Sequence, residues 1–355
     1  MTSVIMPDRV GIVGGVDTHA DTHVVAAVDH NGAVLGNASF KTTAAGYASL
    51  LAWLNSYGPV IKVGVEGTGS WGSGLARHLA DRGVDVREVI RPNRQTRRRY
   101  GKSDNADAVA AARAVLSGQA TGQPRGNTGV VECLRLLKVA RRSAVKQRTM
   151  VANQIHGLVV TCPENLQATL RGLTLRRMVG VVSRYRPGAI NNPTAAAKLA
   201  LRTLGRRHQQ LSEEIKTLDV EIQTLVEQAA PPGLLDMCGV GPQTAADLII
   251  TIGSNPDRIR KESSLAALCG TSPVDMSSGK QQRHRLNRGG DRQANAALYR
   301  IAVVRLRYHQ PTRQYADRRT REGLTKPEII RCLKRYIARE IWEQLAQQNH
   351  TTKPT

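Results

Sequence analysis

Four acidic residues in the first third of the chain have the types and positions of a metal-binding site. Asp17 follows the apolar segment "VGIVGGV", Glu66 follows "IKVGV", and Asp104 and Asp107 come directly after a basic stretch. Carboxylates that converge repel each other unless cations lie between them, and hard oxygen ligands of this kind suit Mg²⁺ or Mn²⁺. Two such ions would activate a nucleophile and stabilise a leaving oxygen, which is the chemistry that phosphodiester cleavage requires.

The aspartate pair also has a purely structural interpretation. Ser103 is a good helix N-cap, and Asp104 and Asp107 suit the first helical turn because they complement the helix dipole. For the pair alone this interpretation would be preferred, although the spacing also puts both carboxylates on one helix face. Asp17 and Glu66 favour the metal-binding interpretation over the capping one. Each ends a predicted apolar strand and can therefore reach the same edge of a sheet.

Three polar residues near the first acid compete for a place in this site. Asp21 is an alternative to Asp17, but it lies beyond the predicted end of the strand and fits less well. His19 and His23 flank the same region. We interpret both as local hydrogen-bonding residues rather than metal ligands, because four acids already suffice.

The charge of the chain favours a polyanionic partner. Lys and Arg number 51 against 28 Asp and Glu, a formal net charge of +23, which exceeds what solubility alone usually requires. The stretch before the aspartate pair is predicted to hold a nucleic-acid backbone through Arg94, Arg97, Arg98, Arg99 and Lys102. Aromatic residues make up only 3% of the chain, which argues against base stacking and favours recognition of backbone and shape.

A second segment, "SSGKQQRHRLNRGGD", has a nucleophile beside a group of cations. Ser278 precedes Gly279, and the cations that would bind a target phosphate are Lys280, Arg283, Arg285 and Arg288. A serine hydroxyl is a poor nucleophile at neutral pH and needs activation. The motif alone favours an ordinary polar turn; in combination with the acidic set, the catalytic interpretation is preferred. Ser277 is the neighbouring alternative.

The hydropathy pattern divides the chain into three parts. The first third predicts three strands and then helix, strand, helix and strand, which implies a mixed sheet with helices packed against it. The middle predicts a long basic helix and an apolar seam with alternating spacings of four and three, formed by Leu204, His208, Leu211, Ile215, Leu218, Ile222 and Leu225. The seam predicts a coiled-coil arm, with an amphipathic helix packed inside its own domain as the alternative.

The last third is basic and mainly helical, and it contains a glycine-rich turn. The segment "LLDMCGVGPQTAADLIITIG" predicts a helix, the turn Gly239-Val240-Gly241, and a second helix. Backbone N–H groups in such a turn, beside a helix N-terminus, would bind a phosphate.

Other sequence features bear on location. No apolar run approaches the ~20 residues of a membrane-spanning helix, and the first residues lack the pattern of a signal peptide. The five cysteines are widely separated and form no CxxC pair, which predicts reduced thiols rather than disulfides or a zinc site. We therefore expect a cytoplasmic, nucleoid-associated protein without a membrane partner.

The acidic segments "GVDTHADTH", "VEGTGSWG" and "KSDNADA" resemble the three acidic blocks of the DEDD insertion-sequence transposases. The segment from Leu265 to Val303 resembles the C-terminal transposase domain of that family, and the resemblance covers nearly the whole chain. It implies an α/β plus all-α fold: an RNase H-like (RuvC-type) catalytic domain at 1–128, a helical coiled-coil region at 129–230 and a C-terminal transposase domain at 231–355.

The resemblance also implies roles for individual residues and partners. Asp17, Glu66, Asp104 and Asp107 match the DEDD set, and Ser278 matches the family's attacking serine, which would meet the acids in a site composed across domains or subunits. The implied partners are element-end and target DNA, a structured guide RNA encoded by the element, and further copies of the chain in a dimer or tetramer. Two alternatives stay open: a metal-dependent junction nuclease that activates water, and a non-catalytic nucleic-acid-binding protein.

Overall fold

The computed structural model of the protein describes residues 11–89, 103–126, 128–276 and 284–351, with the backbone alone for 346–351. The chain separates into two compact units, Met1–Gly126 and Asn127–Thr355. The division of the second part at residue 230 stays a prediction. Within the described residues, no helix is both long enough and apolar enough to cross a membrane.

The first unit contains a mixed five-stranded sheet with helices on both faces. Its elements are β1 Ile12–Thr18, β2 Thr22–Val28, β3 Val34–Lys41, α1 Ala44–Asn55, β4 Val60–Glu66, α2 Ser73–Ala80, β5 Asp85–Val89 and α3 Asp104–Leu116. The strand order is β3-β2-β1-β4-β5. The β1–β4 and β4–β5 pairs are parallel, and the β1–β2 and β2–β3 pairs are antiparallel. The predicted mixed sheet is confirmed, and its arrangement is that of an RNase H-like fold.

Alternating side chains of the central strands supply two separate cores. On one face Val16 packs in a cluster with Leu50 and Leu54 of α1 and Leu75 of α2. On the other face Val13 packs in a cluster with residues of α3. Because successive side chains of a strand point to opposite faces, Asp17 lies on the α3 face, as Val13 does.

Glycine lets α3 lie directly on the sheet. A Cβ atom built at Gly15 of β1 would lie 2.1 Å from the Ala112 nitrogen and 2.2 Å from the Ala108 carbonyl oxygen. A Cβ atom at Gly64 of β4 would lie 2.8 Å from the Ala111 carbonyl oxygen. These neighbours are backbone atoms of one helix and cannot rotate away, so the two glycines determine how closely α3 approaches β1 and β4.

Gly15→Ala is expected to lower the free energy of unfolding by about 2–3 kcal/mol, because the added methyl forces α3 away from β1. Urea denaturation of the full-length protein measures this change. Gly69→Ala is the matched control, because among the described residues, apart from the two chain neighbours, no atom lies within 4 Å of its added Cβ, and its effect should stay within about 0.5 kcal/mol. Equal effects of the two substitutions would contradict the close approach at Gly15.

The second unit is mainly helical, and its elements follow one another along the chain. They are α4 Gly129–Thr161, α5 Glu164–Leu170, α6 Leu175–Val182, α7 Pro193–Ala229, α8 Pro242–Ile252, a 3-10 turn Pro256–Arg258, α9 Glu262–Leu268, β6 Val274–Asp275, β7 His284–Arg285, α10 Arg292–Tyr308, α11 Gln310–Arg321 and α12 Lys326–Thr351. The predicted long basic helix is α4.

The predicted seam residues of α7 contact their own chain. Leu211 and Ile215 are buried in a cluster with Val151 and Ile155 of α4. Ile222 is buried in a second cluster, which includes Leu134 of α4. The coiled-coil arm stays a prediction: these seam residues pack on α4 of the same chain, which is the arrangement of the alternative interpretation. Since these side chains are occupied there, self-association of the chain cannot use them without unpacking α4 from α7.

Leu211→Lys is expected to lower the stability of the protein by several kcal/mol, because it places an ammonium group in an apolar core. Urea denaturation and light scattering, performed on the same sample, separate loss of stability from loss of an oligomer. Val220→Lys is the control on the same helix, since Val220 is 59% exposed, and it should change stability by less than about 0.5 kcal/mol. A lower molecular mass of Leu211→Lys with unchanged stability would instead support a seam formed between two chains.

Candidate functional site

Strand register places Asp17 and Glu66 side by side. β1 and β4 are parallel neighbours, and Val16 of β1 is paired with Val65 of β4, so both acids end their strands at the same edge. Both are nearly inaccessible to solvent, at 3% and 2% exposure. The Thr18 hydroxyl donates to the Glu66 carbonyl oxygen over 3.1 Å, which ties the two strand ends together.

Helix α3 presents the aspartate pair in its first turn. The Ser103 side chain caps the helix by accepting from the Ala106 N–H over 3.2 Å, as the sequence predicts. Asp107 is buried, whereas the Asp104 side chain is 49% exposed. Because the next turns of α3 pack on Gly15, the first turn lies at the carboxyl end of β1.

The imidazole of His19 lies between Asp17 and Asp104. The Nε2 atom of His19 lies 3.2 Å from Asp17 Oδ2 and 3.5 Å from Asp104 Oδ2. One ligand atom from each of these three residues lies within 4.8 Å of the others. The structure thus brings Asp17 and Asp104 together directly. Glu66 ends the neighbouring strand β4 and Asp107 lies in the first turn of α3, but among the described residues neither belongs to this three-residue group.

The donor set fits a divalent cation. Asp17, Glu66 and Asp107 are buried carboxylates, and one ligand atom each of Asp17, His19 and Asp104 lies within 4.8 Å of the others, a spacing that suits a bound cation. The Nε2 atom of His19 is enclosed by protein, and within the described part of the chain it accepts and donates no hydrogen bond. Oxygen ligands of this kind suit a divalent cation.

His19 and His23 are expected from the sequence to be local hydrogen-bonding residues, but within the described residues their buried ring nitrogens form no hydrogen bond. His19 Nε2 contacts two carboxylates without hydrogen-bond geometry, and His23 is fully buried and stacks on Tyr47 at 5.7 Å between ring centroids. Burial lowers the pKa of His23, which favours its neutral form. Asp21 is exposed in the turn after β1 and does not belong to the described cluster. The signal that indicates His19 is its position two residues beyond the strand-end acid.

Two short paired strands precede and follow the predicted nucleophile in the sequence. β6 and β7 pair antiparallel, with Val274 opposite Arg285, and they flank residues 277–283. Ser277, Ser278, Lys280 and Arg283 lie outside the described residues. Arg285 and Arg288 are both exposed, where phosphate can reach them.

The described residues that flank this segment are held by hydrogen bonds among the surrounding helices. Asp291 caps α10 by accepting from the N–H groups of Gln293 and Ala294. The Asn295 amide donates to the Cys269 carbonyl oxygen over 2.8 Å, and Lys334 donates to Asn295 Oδ1 over 2.9 Å. Burial lowers the pKa of Lys334. The flanks of the predicted serine segment are therefore anchored on a packed core.

The glycine turn differs from its prediction in two ways. Residues 234–238 form turns and a bend rather than a helix. They lie between Gly233 and Gly239, both at positive φ, a backbone conformation that does not continue a right-handed helix. The N–H groups of Val240 and Gly241 donate to the Met237 carbonyl oxygen and the Thr244 hydroxyl. A phosphate site made from these donors is therefore not preformed.

The predicted cations before the aspartate pair, Arg94, Arg97, Arg98, Arg99 and Lys102, lie outside the described residues. Their role in holding nucleic acid stays a prediction. It rests on their position in the sequence, directly before the helix that carries Asp104 and Asp107.

Comparison with known proteins gives matches in both units. A family model for DEDD transposases of the IS110 type, described as "Transposase", matches residues 14–162. A second, described as "Transposase IS116/IS110/IS902 family", matches residues 233–317. The chain is also 28% identical over 144 residues to the "Insertion element IS110 uncharacterized 43.6 kDa protein" of Streptomyces coelicolor. That match covers 40% of this chain and 35% of the relative, so it spans about a third of the relative's length.

Proposed function

The chain belongs to the IS116/IS110/IS902 family of DEDD transposases, and from this we propose that it recombines DNA to move an insertion sequence. The observation that carries the proposal is the proximity of Asp17 and Asp104 at the end of the sheet where β4 terminates in Glu66. We propose that Asp17, Glu66, Asp104 and Asp107 hold divalent ions, Mg²⁺ or Mn²⁺. When bound, such ions activate a nucleophile and stabilise charge on phosphate oxygens.

We propose Ser278 as the nucleophile of strand cleavage. Its Oγ atom forms a bond to phosphorus, and the bond from phosphorus to one deoxyribose oxygen breaks to release a strand end. The proton of the serine hydroxyl passes through solvent to that departing oxygen. Attack by the hydroxyl of another strand then breaks the serine–phosphorus bond and rejoins the DNA. Exposed Arg285 and Arg288, together with Lys280 and Arg283, would hold the phosphate and stabilise its developing charge.

The positive charge of the chain supports nucleic-acid partners beyond the reacting strands. We propose that a structured RNA from the element selects the element ends and the target, and that further copies of the chain complete the assembly. Arg94, Arg97, Arg98, Arg99 and Lys102 would contact the phosphate backbone. Gly239 and Gly241 stay in the proposed interface only if their turn rearranges on binding, since two of its N–H groups donate within the chain.

The decisive experiment is recombination in vitro between element ends and a target DNA, with and without RNA transcribed from the flanking DNA. The expected result is joined product that requires the protein, the RNA and Mg²⁺ or Mn²⁺. Joined product without the RNA would remove the guide from the proposal. Hydrolysed ends without joining would favour the junction nuclease, and binding without any cleavage would favour the non-catalytic protein.

A further inference from the structure

His19 is placed among the acids in a way that four carboxylate ligands leave unexplained. Its Nε2 atom lies 3.2 Å from Asp17 and 3.5 Å from Asp104, yet it forms no hydrogen bond within the described residues. One ligand atom from each of Asp17, His19 and Asp104 lies within 4.8 Å of the others. This spacing allows all three groups to donate to one divalent cation placed between them.

The imidazole is also held in position by its backbone. His19 comes directly after β1, and its N–H donates to the Thr22 carbonyl oxygen at the start of β2 over 3.2 Å. Only His19, Ala20 and Asp21 separate β1 from β2, so the ring is carried by a tight turn between two paired strands. A group fixed in this way can serve as a ligand with little loss of conformational freedom on binding.

We propose that His19 is a nitrogen ligand of the cation that Asp17 and Asp104 hold, and that it makes this centre selective for Mn²⁺ over Mg²⁺. Mg²⁺ strongly prefers oxygen ligands, whereas imidazole favours the transition metals. The inference rests on the proposed function in one respect only, namely that these acids bind a divalent cation.

The direct test is pulsed electron paramagnetic resonance of Mn²⁺ added to the full-length protein without nucleic acid. A bound imidazole gives nitrogen hyperfine modulation, which should be present in the wild type and absent in His19→Asn. His30→Asn is the matched control, because His30 is an exposed histidine of the same unit, and it should retain the signal. Incorporation of ¹⁵N-histidine should change the ¹⁴N pattern into a ¹⁵N pattern, which identifies histidine nitrogen without any substitution.

Selectivity provides an independent measurement. The dissociation constants for Mn²⁺ and Mg²⁺ can be compared by competition in the wild type and in His19→Asp, which replaces nitrogen with oxygen. The preference for Mn²⁺ should fall by about tenfold or more in His19→Asp and should be unchanged in His30→Asp. An unchanged preference in His19→Asp would overturn the inference.

The outcomes separate this inference from the proposed function. If Mn²⁺ binds to the wild type without nitrogen modulation, or the modulation persists in His19→Asn, His19 is not a ligand, and the acidic metal site of the proposed function still stands. If the wild type binds no Mn²⁺ and no Mg²⁺, both the inference and the metal site fail together.

Discussion

Asp104→Asn and Asp107→Asn are each expected to abolish DNA strand cleavage while the protein stays folded. The amide keeps a capping oxygen but loses the charge that holds a divalent cation. Losing several kcal/mol of transition-state stabilisation, at about 1.4 kcal/mol for each factor of ten, lowers the rate by about a thousandfold. The helix itself should be little affected, since one charge in the first turn contributes only about 0.3–1 kcal/mol and the Ser103 cap remains.

The measurement is the cleavage rate of element-end DNA in Mg²⁺ and in Mn²⁺, with urea denaturation of each variant. Asp21→Asn is the matched control, because Asp21 is an exposed acid in the turn next to the site, and it should cleave at the wild-type rate. If both helix variants recombine DNA as fast as the wild type, Asp104 and Asp107 serve only to stabilise the helix. If Asp21→Asn is also inactive, Asp21 rather than Asp17 is the first acid of the site.

Ser278→Ala is expected to stop strand exchange completely while nucleic-acid binding persists. One hydroxyl adds little to an interface built from many phosphate contacts, but without it no serine–phosphorus bond can form. Binding is measured at a stated salt concentration, and exchange is measured by the appearance of joined strands. Ser277→Ala is the matched control, since it removes the same group one residue earlier, and it should retain most of the activity.

A covalent adduct gives the second readout for this prediction. Denaturation during the reaction, followed by digestion and mass spectrometry, should place a nucleotide on Ser278 of the wild type. An adduct on Ser277 would move the nucleophile by one residue. An active preparation that gives hydrolysed ends and no adduct would show that the protein uses water, as a junction nuclease does.

The local features of the candidate site could be predicted from the sequence because each depends on short-range patterns. The apolar runs before Asp17 and Glu66 have strand length, and both acids come at the strand ends. Ser103 before two acids is a helix start, and the structure caps the helix there. The element order of the first unit follows from the same kind of pattern, since short buried strands alternate with amphipathic segments.

Other features depend on which distant segments meet, and a local pattern does not contain that information. The seam of α7 has the same spacing whether its partner is another chain or α4, and only the packing of Leu211 and Ile215 on α4 distinguishes the two. The segment before Gly239 is apolar enough for a helix. Glycines at both ends, with N–H groups that donate within the turn, prevent it.

By itself, the sequence determined the order of strands and helices in the first unit, the strand-end positions of Asp17 and Glu66, and the helix start at Asp104, because period-two alternation and helix capping are local. Tertiary structure alone decided that His19 lies between Asp17 and Asp104. That position depends on how closely α3 crosses β1, which Gly15 permits through a backbone contact with residues almost a hundred positions away. The ligand set around a cation is therefore a property of the crossing of α3 and β1, not of any one segment.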